Sequence, residues 1–342
     1  MNKVAVTAEK AWKEREAARA ACERPNAVTA DAGKRERSAK RLIEGAAGVC
    51  HFLFVAIILF QFFPDRRPDE SHFLFPASVA LIEAIFLLYL YCRRGNETVA
   101  GDLLALVYGA VFVWQLLTVK FDVLDRMLFP SPTFVLSLLV HEIPEAVKGA
   151  ISSLGIVFVG YGTALITAVP LGLIAGWNRR LRSAATPITR VLGPVPPTVY
   201  IPYAIVLLPT FKLSSMFVIF IGAFWPIFIN TLNGVSSIDG RIIESAKVLK
   251  LDQRTMLTKV IFPGTLPSVV SGATIGLAMS FILLTAAEMI GATSGLGWYV
   301  KYFSDFADYP RVIVGIIFAG IVVTCIMYTF DKVEKRMLRW RR

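Results

Sequence analysis

The feature that most restricts this chain is a series of apolar runs of near-membrane length, separated by polar intervals. An α-helix rises about 1.5 Å per residue, so about twenty apolar residues cross a hydrocarbon core of about 30 Å. Every backbone group is then paired within its own segment, which is what lipid demands. The runs lie at 43–63, 73–92, 99–119, 150–177, 190–209, 215–235, 268–291 and 310–330. They predict an all-α polytopic membrane protein with about eight transmembrane helices. Composition agrees: 55% of the residues are hydrophobic and 18% charged, and mean hydropathy is +0.60.

The formal charge of +11 could mean nucleic-acid binding, but its distribution points elsewhere. With both termini inside, the inner segments are 1–42, 93–98, 178–190, 236–267 and 331–342. They hold 28 of the 36 Lys and Arg residues and the outer segments hold 8, the bias that marks cytoplasmic loops. An odd number of spans would break this pattern. The expected topology therefore has the N and C termini in the cytoplasm, with the lipid bilayer as partner and no nucleic acid.

Residues 1–42 form a polar tail with 11 basic and 6 acidic residues. Ala8 to Cys22 suits a helix that Pro25 would stop. No apolar core follows a short basic start, so the tail does not read as a signal peptide. Cys22, Cys50, Cys92 and Cys325 make no CxxC pair, and His51, His72 and His141 make no metal spacing. Neither a zinc site nor a disulfide framework is expected.

The longest polar interval between apolar runs is Asp239 to Pro267, DGRIIESAKVLKLDQRTMLTKVIFPGTLP. Apolar residues recur in it at helical spacing (Ile243, Ala246, Leu249, then Met256, Leu257, Val260, Ile261), which predicts two short amphipathic helices joined by a turn. Its position between two spans places it in water, and the charge bias makes that water cytoplasmic. Such a hairpin suits docking of a soluble partner.

The pattern within that interval resembles the EAA loop of bacterial ABC importer permeases: E-A-A, three residues, Gly, nine residues, I-x-L-P. Glu244, Ala246 and Pro263 match it, and Ser245 is a small substitute; Val260 and Phe262 are apolar for apolar, and Pro267 closes the stretch. Lys250 stands where the glycine would be. A left-handed turn is cheap for glycine, so Lys250 implies either strain on the order of 1 kcal/mol or a turn made at Leu251-Asp252. LFPSP (Leu128–Pro132), GPVPPTVYIPYAIVLLP, FWPIFINTLNGV (Phe224–Val235) and AEMIGATSGLGWYV (Ala287–Val300) also look like the nitrate/sulfonate/taurine branch of these permeases. The likeness covers about 99–335. It implies a six-helix permease domain over 96–342 with a cytoplasmic coupling loop at 236–267, preceded by two additional spans in 43–95. It further implies cytoplasmic ABC ATPase subunits that carry the ATP and Mg, an extracytoplasmic solute-binding protein and a second permease copy.

The chemistry of the chain is consistent with that role. It has no GxxxxGK[ST] phosphate loop and no nucleophile–base set, so it is expected to be non-catalytic and to hold no cofactor or metal. His141-Glu142 beside Pro144 reads as part of a surface helix. In the loop, Leu249 and Leu251 are the candidate apolar anchors for an ATPase, Lys247, Lys250 and Arg254 suit a polar rim, and Glu244 is a candidate helix cap or partner of a cation. Charges within spans are costly: Glu83 lies mid-span, Asp102 near an inner end, and Glu288 near an outer end before Gly295-Leu296-Gly297. Glu288, Gly295 and Gly297 are candidates for an outer gate. The prolines Pro194, Pro196, Pro197 and Pro202 are expected to bend the fifth span, and with Asn230, Thr231 and Asn233 they offer helix-packing or pathway groups. Gly172 and Gly176, at GxxxG spacing, suit close helix contact. Two rival readings are an ion-gradient-driven transporter, which would show inverted repeats, discontinuous helices and paired ion ligands, and a non-transporting scaffold that recruits an ATPase.

Overall fold

A computed structural model describes residues 48–61, 63, 74–92 and 97–341. The polar tail, its Ala8–Cys22 helix, Cys22 and His72 lie outside them. Every described element is helical, as the apolar runs require. Five helices are long and apolar enough to cross a membrane: Ala100–Lys120, Pro132–Trp177, Phe211–Ser236, Gln253–Gly291 and Tyr309–Met337. Gly48–Gln61, Leu74–Tyr89 and Pro197–Leu207 are shorter apolar helices. Two compact units result, one ending near Asp125 and the other holding the rest of the chain from Phe134.

In the first unit, α1 (Gly48–Gln61), α2 (Leu74–Cys92) and α3 (Glu97–Gln115, prolonged by a π turn to Lys120) enclose a core of Cys50, Ile57, Phe75, Val79, Phe86 and Tyr108. Glu83, mid-span in sequence, is 4% exposed. Its partners belong to this same unit: His51 Nδ1 on α1, and the Tyr108 hydroxyl on α3, which donates to Oε2 at 3.0 Å. One carboxyl group thus satisfies donors from two other helices, the arrangement that makes a buried charge tolerable.

The second unit begins with α4 (Pro132–Trp177), which is 46 residues long. The sequence predicts a span only over 150–177; the helix runs eighteen residues further because Phe134–Gly149 continue helically despite their charges. At about 1.5 Å per residue it reaches about 70 Å, well beyond a bilayer. Its extension is tied down by Glu142, which accepts from Arg311 Nε at 2.8 Å while Arg311 also pairs with Asp308 at 2.6 Å. His141 is exposed on this helix, as a surface helix would have it, while Glu142 is held by the ion pair.

The fifth expected span is not one helix. It begins in the last turn of α5 (Arg179–Leu192), most of which lies in the expected inner segment, and continues as a break at Gly193–Pro196, a 3-10 turn at Pro197–Val199 and α6 (Tyr200–Leu207). Asn178 caps α5 by accepting from the N–H groups of Arg180 and Leu181, and its Arg179, Arg180, Arg182 and Arg190 make it strongly amphipathic. The prolines sit between the helices, and Pro202 lies in the first turn of α6, where a missing N–H costs nothing. They separate two helices and do not bend one.

α7 (Phe211–Ser236) packs along α9 (Gln253–Gly291), whose first turns contain a π segment at Met256–Ile261. Between them stands α8 (Gly240–Val248). α10 (Leu296–Asp305) and α11 (Tyr309–Met337) complete the unit. Gly172 and Gly176 of α4 meet α7 closely: a Cβ on either would fall 2.7 Å from Thr231 or Val235. The core gathers Ile156, Ile201, Ile219, Ile227 and Leu284 from α4, α6, α7 and α9.

Candidate functional site

Two small structures stand at opposite ends of α9, and the helices between them fix which end is which. At one end, Leu173 and Trp177 of α4 and Val235 and Ile238 around the end of α7 share an apolar cluster with Ala246, Leu251, Met256 and Ile261. At the other end, a Cβ on Gly291 would lie 3.1 Å from Phe211, the first residue of α7. The chain between Trp177 and Phe211 must therefore travel the length of the bundle, which it does as the broken pair α5 and α6.

The first structure is the hairpin predicted from the sequence. Asp239 opens it: its carboxylate accepts from the backbone N–H of Arg241 at 2.9 Å and from the Arg241 guanidinium at 2.7 Å. These bonds, the side-chain one foremost, hold the Asp239 carboxyl below its ordinary pKa. The cap is Asp239 and not Glu244, which is exposed. The helix ends at Leu249, and Lys250 takes φ 52°. The turn is thus made where the resembled family carries glycine, and made by a lysine in the left-handed region. The Lys250 N–H donates to the carbonyl of Lys247 at 2.9 Å, and Leu251 folds back into the cluster that holds Ala246, the bond and contact that accompany a left-handed helix stop. Asp252 then caps the next helix through the Thr255 N–H at 3.2 Å, a contact that lowers the Asp252 pKa.

This packing sorts the expected anchors. Leu251 is turned toward the protein's own core and leaves Leu249, 72% exposed. Ala246 is buried. Val248, which the sequence pattern did not single out, is 81% exposed. Arg241, Glu244, Ser245 and Val248 follow the i, i+3, i+4, i+7 rule and so share one side of α8, and all four are exposed. Val248 could have been found as the apolar residue out of register with Ile243 and Ala246. Pro263 and Pro267 lie just past the π segment, in which the Phe262 N–H bonds to the carbonyl of Leu257 five residues back. A widened turn of this kind takes up an irregular stretch of helix next to a proline.

The second structure surrounds Glu288, which is 1% exposed. Its Oε1 accepts from the Ser153 hydroxyl at 2.6 Å and its Oε2 from the Gly297 N–H at 2.7 Å. The Ser153 oxygen itself accepts from the Leu296 N–H at 2.9 Å, and the Ser152 and Ser294 hydroxyls are 3.1 Å apart. Gly295 has φ 132°, and a Cβ there would fall 2.3 Å from Glu288 Oε1. Ser153 escaped the sequence reading; the doublet Ser152-Ser153 in an apolar run was its only signal. Of the other candidates, Asn230 donates to the carbonyl of Pro226 at 2.8 Å and Thr231 to that of Ile227 at 2.7 Å, both along α7 itself. Asn233 and Pro202 are exposed. None of these four is drawn to Glu288.

With this geometry in hand, comparison with known proteins is direct. Residues 168–339 match the family described as "Binding-protein-dependent transport system inner membrane component". A protein of Brucella abortus named as an ABC transporter permease is 31% identical over 250 residues, 72% of this chain and 98% of that one. The nitrate import permease of Leptolyngbya laminosa is 35% identical over 171 residues, half of this chain and 61% of that one. The solved structure titled as an inward-facing conformation of the MetNI methionine ABC transporter shares the fold, with a TM-score of 0.50 at 20% identity, covering 57% of this chain and 97% of that one. The chain belongs to the binding-protein-dependent transport system inner membrane component family. It is a multi-pass membrane permease of the ABC importer type, in the branch that includes nitrate permeases.

Proposed function

We propose that this chain is the membrane subunit that an ABC ATPase drives through the α8 hairpin, and that it passes a small solute delivered by an extracytoplasmic binding protein. The observation that carries the proposal is the exposed side of α8. The inner side of this helix is packed through Ala246, and its outer side presents Arg241, Glu244, Ser245 and Val248, with Leu249 at its tip, all exposed. Apolar residues ringed by charge suit a groove on a soluble partner. ATP and Mg belong to that partner, and the permease works as a pair of copies around the pathway. The topology that fits is eight crossings with both termini cytoplasmic, the fifth made by the stretch from the end of α5 through α6.

The solute is a nitrate-, sulfonate- or taurine-like anion or a related small molecule, a reading supported by the resemblance of the chain to that branch. The break between α5 and α6 is one sign expected of an ion-driven transporter, but residues 168–339 match the binding-protein-dependent permease family, which supports coupling to an ATPase. The ATPase reading is therefore preferred. Its test is co-purification with a cognate ABC ATPase. Val248→Asp, Leu249→Asp or Glu244→Lys should leave the protein inserted and folded while ATPase recovery falls at least tenfold. Undiminished recovery with all three would refute the docking role.

A further inference from the structure

The start of α10 is assembled in an unusual way. The first N–H groups of any helix lack partners within it and are normally met by a side chain at the N-cap. Here the N-cap is Gly295, which has no side chain. The Leu296 N–H is met by Ser153 of α4 and the Gly297 N–H by Glu288 of α9. The Glu288 carboxyl occupies the place where a capping side chain on Gly295 would begin, as the 2.3 Å Cβ approach shows. A second close approach brings Gly149 of α4 to the Gly295 backbone, 3.4 Å from a Cβ position. α10 thus has a satisfied first turn only while docked on both neighbours. If it swung away on residues 291–295, a buried carboxyl group and two N–H groups would lose their partners together, which is costly out of water.

We propose that Glu288 is a positioning residue that makes α10 and the adjoining ends of α4 and α9 one body, so that the outer side of the permease opens by movement of that body and not by a swing of α10. The proposal rests on the permease reading given above. It requires the contact between Ser152 and Ser294 to persist through the transport cycle.

The test is a Ser152→Cys/Ser294→Cys pair, oxidised to a disulfide in proteoliposomes that hold the chain, its ATPase and the binding protein as purified. Stimulation of ATP hydrolysis by the binding protein is read before and after oxidation. In the Glu288 background the disulfide should leave stimulation within about twofold of the reduced protein, since the two residues never part. Glu288→Gln replaces one acceptor oxygen by a donor and should lower stimulation at least fivefold, and closing the disulfide in that variant should restore it. A role confined to folding would not respond to oxidation after assembly. Arrest by the disulfide in the Glu288 background, or full stimulation in Glu288→Gln without it, would overturn the proposal. Where Glu288→Gln does not assemble, the oxidised pair in the Glu288 background decides alone. The unmodified chain in the same vesicles tests the permease reading separately.

Discussion

Lys250 and Gly295 both hold the backbone at positive φ, 52° and 132°, at opposite ends of the same long helix. They solve the problem in opposite ways. Lys250 stops α8 at an exposed turn, where its side chain runs into open space, and the cost is that of a non-glycine residue in the left-handed region. Gly295 faces a carboxyl group so close that no side chain fits. The comparison separates two demands that a sequence pattern merges: a left-handed turn, which a lysine meets at modest cost, and the extended positive-φ backbone of Gly295 with no room for a side chain, which only glycine meets.

The sharpest break of this comparison is Gly295→Ala. Its methyl group must displace the Glu288 carboxyl and strand the Gly297 N–H, a loss of about 3 kcal/mol when strain and unpaired groups are combined. The expected result is a clear drop in apparent Tm in detergent and loss of binding-protein-stimulated ATP hydrolysis. Next in size, Ser153→Ala removes one bond to Glu288 and the acceptor of the Leu296 N–H, and should cost about 1–2 kcal/mol by the same assay. At the other end, Lys250→Gly should raise stability by no more than about 1 kcal/mol, and Lys250→Val, with its branched Cβ, should lower it; the two together test whether strain is stored at the turn. Smallest is a pH effect on the caps. The carboxyl groups of Asp239 and Asp252 have folded pKa values below their unfolded ones. Their contribution is therefore complete above the unfolded value of about 3.9 and is lost as pH falls through the folded values. Hydrogen exchange over 240–255, corrected for intrinsic rates, should show the hairpin loosening below about pH 4 while α9 beyond Pro267 stays protected.

Much of the fold was legible because lipid allows few solutions. The runs at 215–235, 268–291 and 310–330 all fall within single long helices. Two errors share a cause, that hydropathy reports solvent and not backbone. Charged residues hid the continuation of α4 through Glu142 and Lys148, and apolar residues between prolines hid the break at Gly193–Pro196. The hairpin's first helix and turn were legible, since capping residues and spacing are local, but its second helix is not short: from Gln253 it runs on without a break as α9. The orientation of Leu251 was not legible, because it depends on Ala246 and Met256 meeting Trp177 from a distant helix. Ser153 stands 135 residues before Glu288, and one sequence contains no sign of such a pairing.

α9 passes without a gap from Met256 in the hairpin cluster to Glu288 at the far node. The twenty-one steps from Pro267 to Glu288 alone make a rod of about 32 Å. If an ATPase docks on α8 as proposed, this rod acts as a lever: a tilt of about ten degrees at the hairpin would shift the Glu288 end by roughly 5 Å, the order of one helical turn. On that reading the two ends need no chain of side-chain signals between them, because the length of α9 sets how far the Glu288 end travels for each tilt of the hairpin end.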